Sequence, residues 1–178
     1  MKTYLTYGSA MAGGGFLLVI VLYVLGLHSD PAKLSTAQWI QGCVGLAISI
    51  TCIVLGTKAR RAQVPPTENF GYGSALGAGV MIALFAALIG LVTTFLYGGV
   101  INPHFFDVIL QAQTEQLEAK GISADKIEQI QKVSAPFMKL PAQMAFGFLG
   151  GLFFGTLISL VTAAFLKRPA NDELQSVG

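Results

Sequence analysis

Few residues in this chain of 178 could do chemistry. His28 and His104 could begin a metal site. Zinc needs three or four ligands at characteristic spacing, and no Cys-x-x-Cys or His-x-x-x-His pattern completes the set. Both histidines are therefore expected to be interfacial side chains, with no metal bound. Glu115 and Glu118 share one helix face, as a carboxylate pair for acid–base work would. Such work also needs pKa values perturbed in a pocket, and a solvated polar face is the simpler reading. Cys43 and Cys52 fall on opposite faces of one helix. They cannot pair with each other and read as small apolar fillers. Gly13-Gly14-Gly15 lacks the preceding strand and following Lys-Ser/Thr of a phosphate cradle, so it reads as a helix contact. The expectation is a protein that is not an enzyme, with no catalytic, cofactor-binding or metal residue.

The elements that would hold these residues are set by where charge is missing. No Asp, Glu, Lys or Arg occurs from Thr3 to Leu27, Leu34 to Thr57, Asn69 to Asn102 or Leu140 to Leu166. One charge at the centre of a spanning helix costs roughly 2.5–3.5 kcal/mol on insertion scales, whereas each Leu, Ile, Val or Phe returns only about 0.3–0.6. The composition is 53% hydrophobic and 11% charged, with a mean hydropathy of +0.65. A soluble helix would show a charged face recurring every 3.6 residues or so, and these stretches have none. Each is also about as long as the ~20 residues a bilayer core requires. Spans are predicted at about 7–27, 39–57, 72–100 and 142–166, with Trp39 suited to an interfacial belt. The first reads as retained, because Gly26-Leu27-His28-Ser29 is no signal-peptidase site. The third is long enough that it must tilt or protrude, and Gly98-Gly99 is where its end should loosen. A net charge of +2 is too small to argue for nucleic acid.

Orientation follows from Lys and Arg near the span ends. Lys2, Lys58, Arg60, Arg61, Lys167 and Arg168 flank one side, which the positive-inside rule makes cytoplasmic. Both termini and the tail 167–178 then lie inside, and the segment about 102–140 lies outside. Asn102 can cap a helix starting at Pro103. Phe105, Phe106, Ile109, Leu110 and Leu117 recur at helical spacing opposite Asp107, Gln111, Glu115 and Glu118. Gly121 should end that helix, and Ser123 can cap a second, with Ile127, Ile130 and Val133 on one face and Glu128–Lys132 as a surface pair. This predicts an amphipathic helical hairpin on the outer membrane surface or the bundle's outer mouth.

Tyr7-Gly8-Ser9-Ala10 opens span one and Tyr72-Gly73-Ser74-Ala75 opens span three, with Gly14 and Gly79 in the same register. The chain thus reads as two similarly oriented transmembrane hairpins forming an internal repeat. Gly147, Gly151, Gly155, Ser159 and Ala163 form a stripe on span four, and Ala75, Gly79, Ala83 and Ala87 form one on span three. Lipid tails are as apolar as leucine, so membrane helices associate by close backbone approach at such stripes. Packing within the bundle is the expectation, with homo-oligomerisation as the alternative. The spans hold no ionisable side chain at their centres, which disfavours coupled transport. Their polar remainder is Gln41, Gln143, Tyr23, Tyr97 and several threonines, which can bond their own helix backbone.

Tyr7-Gly8, Tyr72-Gly73-Ser74-Ala75, Asn102-Pro103-His104-Phe105-Phe106, Gly121-Ile122-Ser123 and a glycine-rich last span ending in Lys-Arg together resemble an uncharacterised bacterial membrane family, domain of unknown function 4199. The resemblance covers nearly the whole chain and implies a four-span inner-membrane protein, with no activity to carry over. The expectation is an all-α integral membrane four-helix bundle, one domain over 1–178. Its expected role is that of a non-enzymatic envelope structural or interaction subunit. It would lie in the lipid bilayer beside a second copy or another membrane protein, without cofactor. The alternative is a passive channel or small-molecule permeation protein.

Overall fold

The computed structural model describes residues 1–170. The predicted tail runs past this point, and residues 171–178 lie outside the described residues. The order is α1 (Lys2–Val24), α2 (Pro31–Ala62), α3 (Tyr72–Leu96), α4 (Phe105–Ala119), α5 (Ala124–Ser134) and α6 (Leu140–Leu166). A wide turn, Tyr97–Ile101, extends α3, and a tight 3-10 turn, Ala135–Met138, follows α5. Among the described residues there is no strand, only one antiparallel bridge between Phe70 and Arg168. Four helices are long and apolar enough to cross a membrane: α1, α2, α3 with its extension, and α6.

Two of them begin earlier than the hydropathy suggested. Helix α1 starts at Lys2 and α2 at Pro31. Asp30 makes the second start: its carboxylate accepts from the Ala32 N–H at 3.0 Å, and Pro31 at the first position needs no N–H. Trp39 therefore sits two turns inside the helix rather than at its beginning. Gly26, at φ 72°, ends α1. The Leu27 N–H reaches Leu22 O at 3.0 Å and the Gly26 N–H reaches Tyr23 O at 2.8 Å, the paired pattern of a left-handed cap. Gly121, at φ 73°, ends α4 in the same way, through Ile122 N–H to Leu117 O at 3.1 Å.

Helix α3 is the hub, packing on α1, α2 and most extensively on α6. A Cβ on Gly79 would lie 2.7 Å from Ser159 Cβ, one on Gly155 would collide with Ala83 Cβ, and one on Gly151 would lie 3.9 Å from Ala87 Cβ. These pairs step in opposite directions, so α3 and α6 are antiparallel. Ile53, Ile82, Ala83, Ser159 and Ala163 are fully buried around this seam. At one end of the bundle, Arg60 Nε donates to Tyr4 Oη at 3.1 Å. The Arg168 guanidinium there donates to the carbonyls of Val64 and Pro65, each at 2.9 Å. At the other end, α4 rests on α2 and carries α5.

The two Tyr-Gly motifs occupy unlike surroundings. Tyr7 lies across Gly56, and Gly8 is buried against Phe85, Ile82 and Ala86. Tyr72 is exposed and donates to Leu160 O at 3.2 Å, while Gly73 has open space where a side chain would be.

Candidate functional site

The upper half of the bundle does not close. Beside the α4 end lies a cavity of about 480 Å³, walled by all four long helices. That volume is within the ~300–1,000 Å³ typical of small-molecule sites. Glycines make up part of its wall. Gly15, Gly45, Gly90 and Gly147 line it, and a Cβ on any of them would meet nothing within 4 Å. The small-residue stripe of α6 therefore divides. Gly155 and Ser159 pack tightly against α3, Gly151 touches it at ordinary distance, and Gly147 opens onto the cavity. Of the α3 stripe, Ala75 lies in the core near Phe70, Gly79 and Ala83 meet α6, and Ala87 also lines the cavity.

A polar cluster closes the α4 end. His28, expected at the interface, is instead 1% exposed. Its Nδ1 lies 2.5 Å from Tyr97 Oη. The same hydroxyl accepts from Asn102 Nδ2 at 3.2 Å, so its proton is free to go to His28. Rings surround the pair: His28 to Phe105 at 4.7 Å, Tyr97 to Phe105 at 5.2 Å, and Tyr97 to Tyr23 at 6.1 Å between centroids. Burial pushes the His28 imidazole below its ordinary value, because the charged form loses water there without a countercharge.

Asn102 reached this position by a route the sequence did not suggest. It does not cap α4, which starts at Phe105 after His104 and has no side-chain cap. The wide turn sends the Asn102 N–H back five residues to Tyr97 O at 2.7 Å, rotating its side chain inward. Gly98 and Gly99 permit the turn to seat: a Cβ on Gly98 would lie 2.7 Å from Phe106, and one on Gly99 3.3 Å from Leu140. The span's end does loosen at this glycine pair, and the loosening builds a site.

The second histidine, the paired carboxylates and the two thiols stay apart from the cavity. His104 is exposed and lies 3.4 Å from Asp107. Glu115 accepts from Gln111 at 3.1 Å on an exposed face. Cys43 and Cys52 are free thiols. Among the described residues, no three His, Cys, Asp or Glu side chains gather as a metal site would need. Ile127 is buried, but Ile130 and Val133 on the same helix remain 43% and 69% exposed. Thr93 and Thr156 do bond their own helix, to Gly90 O at 3.1 Å and Leu152 O at 2.7 Å.

No curated protein and no solved structure matches the chain. The family model described as "protein of unknown function (DUF4199)" matches residues 6–168. With that match covering nearly all of a helical chain in which four helices are long and apolar enough to cross a membrane, the protein belongs to this family.

Proposed function

We propose that this protein is a non-enzymatic multi-pass membrane protein that binds a small, mostly apolar molecule inside its bundle. The supporting observation is the glycine-lined cavity. A helix bundle that needed only to pack would place Cβ atoms where Gly15, Gly45, Gly90 and Gly147 leave space. Below the cavity, Ile53, Ile82, Ala83 and Ser159 are buried in close contact. A solute crossing the bundle would have to part these residues, so binding is a better reading than passive permeation. Native mass spectrometry of the protein released from membranes should show a bound small molecule. Gly90→Leu, whose Cβ would meet nothing within 4 Å and whose side chain should fill the cavity, should lose it. Wild-type protein that is always ligand-free would sink the proposal.

A second reading rests on the insert. Ile130, Val133 and Phe137 are 43%, 69% and 51% exposed, near one another in sequence on α5 and the turn after it. They suit an envelope interaction subunit that touches a second copy or another membrane protein. A crosslinker placed at Val133→Cys that captures nothing in cells would count against it. Lys2, Lys58, Arg60, Arg61, Lys167 and Arg168 support a bacterial inner-membrane location with both termini in the cytoplasm. Thiol accessibility of cysteines placed at Lys33, Gln63 and Lys120, in a chain lacking Cys43 and Cys52, tests this. Labelling Gln63 from outside would reverse the orientation.

A further inference from the structure

We propose that the cavity takes an uncharged single-chain amphiphile with a hydroxyl or ester head, entering from the bilayer through a gap between α2 and α6. The inference rests on the ligand-binding reading and specifies its ligand class and entry route.

Charge comes first. Among the described residues, no Asp, Glu, Lys or Arg lines the cavity. An ion placed there would lose its water without gaining a partner, a penalty that burial makes large. The titratable wall residues are His28 and Tyr97, and they are bonded to each other. Tyr23, Asn102 and Phe105 around them bring no charge, and Asp107 lies on the exposed face of α4 with His104. The ligand is therefore neutral.

Polarity is then sorted along the cavity. The antiparallel register of α3 and α6 puts Gln143 within a turn of the level of Thr94, towards the α4 end. Gln41, Thr93 and His28 line that same half. Gln143 Nε2 donates to Phe137 O at 2.8 Å, which leaves its Oε1 as an acceptor. Gln41 has no protein partner among the described residues and offers both functions. Deeper, the wall is Met11, Ile48, Ala83 and Ala87. The deep hydroxyl of Ser49 already donates to Gly45 O at 2.8 Å. A polar head at the α4 end and an apolar tail towards the packed floor match this arrangement.

The route is set by residues that are at once cavity walls and exposed. Gln41 on α2, and Gly147 and Gly151 on α6, meet both conditions. The wall between them is therefore open, and no side chain from either glycine crosses it. Gly147 and Gly151 lie well inside α6, so the gap faces lipid tails. A molecule already dissolved in the bilayer can enter without passing through water.

The test is equilibrium uptake of labelled dodecanol, dodecanoate, dodecylammonium and dodecane into nanodiscs holding the full chain, measured against empty discs. Dodecanol should bind saturably, about tenfold or more tighter than either ion and than the alkane. Gly147→Leu with Gly151→Leu should abolish that uptake while thermal unfolding stays cooperative. Gln41→Leu with Thr94→Val should erase the preference for dodecanol over dodecane. Ions or dodecane that bind as well as dodecanol would overturn the ligand class and leave the binding reading standing. Unchanged dodecanol uptake in the double leucine variant would overturn the route. Absence of saturable uptake for all four probes would defeat the binding reading itself.

Discussion

One stripe on α6 makes two opposite predictions for the same substitution. In Gly155→Ala the new Cβ collides with Ala83 Cβ and stands 3.6 Å from Ala83 Cα. Ala83 has no flexible side chain to swing away, so the helices must move apart. Separation also loosens the next contact along the seam, where the Gly79 position lies 2.7 Å from Ser159 Cβ and 3.3 Å from Ile53 Cγ2. Overpacking of this kind costs about 1–3 kcal/mol. The helix preference of Ala over Gly returns up to ~1 kcal/mol. The net effect is a destabilisation on the order of 1–2 kcal/mol. In Gly147→Ala the new Cβ meets nothing within 4 Å, so only the favourable term remains, and stability should hold or rise by up to ~1 kcal/mol. Thermal unfolding in mild detergent, followed by a thiol-reactive fluorophore at half-buried Cys52, reads both changes. Equal destabilisation by the two variants would refute the division of the stripe. So would a Gly155→Ala protein as stable as the parent.

Tyr97→Phe should destabilise by about 1–3 kcal/mol, because both His28 Nδ1 and Asn102 Nδ2 lose their buried partner; the same thermal assay reads it. The folded imidazole of His28 is held below its ordinary value, so the unfolded chain binds the proton first on acidification. Stability should therefore be full above about pH 6.5 and fall as pH drops below that value, levelling off only below the folded pKa. A His28→Asn protein should lack this fraction of the pH dependence, and identical wild-type and variant profiles between pH 7 and pH 5, roughly, would contradict it. Gly121→Val should loosen the α4–α5 corner, since φ is 73° there and a β-branched residue is poorly tolerated in that region. Faster amide exchange confined to the insert would be the sign, and unchanged exchange there would argue against the cap.

The spanning helices were legible because insertion energetics act on composition: a charge-free stretch reports a span whatever it packs against. Caps were legible where one residue decides them, as at Gly121. Asp30 was legible in kind but hidden by its Lys33 neighbour, since a search for apolar runs discards the charged first turn of α2. The site was not legible. His28 looks like any polar residue after a span until the tertiary fold lowers Phe105 and Tyr97 onto it. Asn102 followed by Pro103 reads as a helix start, and only the five-residue turn at Gly98-Gly99 turns it inward. The i→i+4 glycine repeat marks a face and carries no information about whether another helix reaches that face.

That last ambiguity has a physical source. In water, a glycine facing an empty space would let the apolar walls collapse, because each buried methylene gains about 0.8 kcal/mol. In a bilayer, that driving force between helices is absent, and association relies on packing and hydrogen bonds. A bundle can then seal tightly at Gly79, Gly155 and Ser159 and stay open a turn or two away at Gly147 and Gly90, since lipid chains or a ligand can supply the missing contacts. The tight half fixes the register of α3 on α6. That register holds Gln143 near the level of Thr94 and aims Gly147 at the gap rather than at a helix. In this protein the packing seam is what positions the cavity, so a variant that shifts the seam, such as Gly155→Ala, should weaken ligand uptake from a place the ligand does not touch.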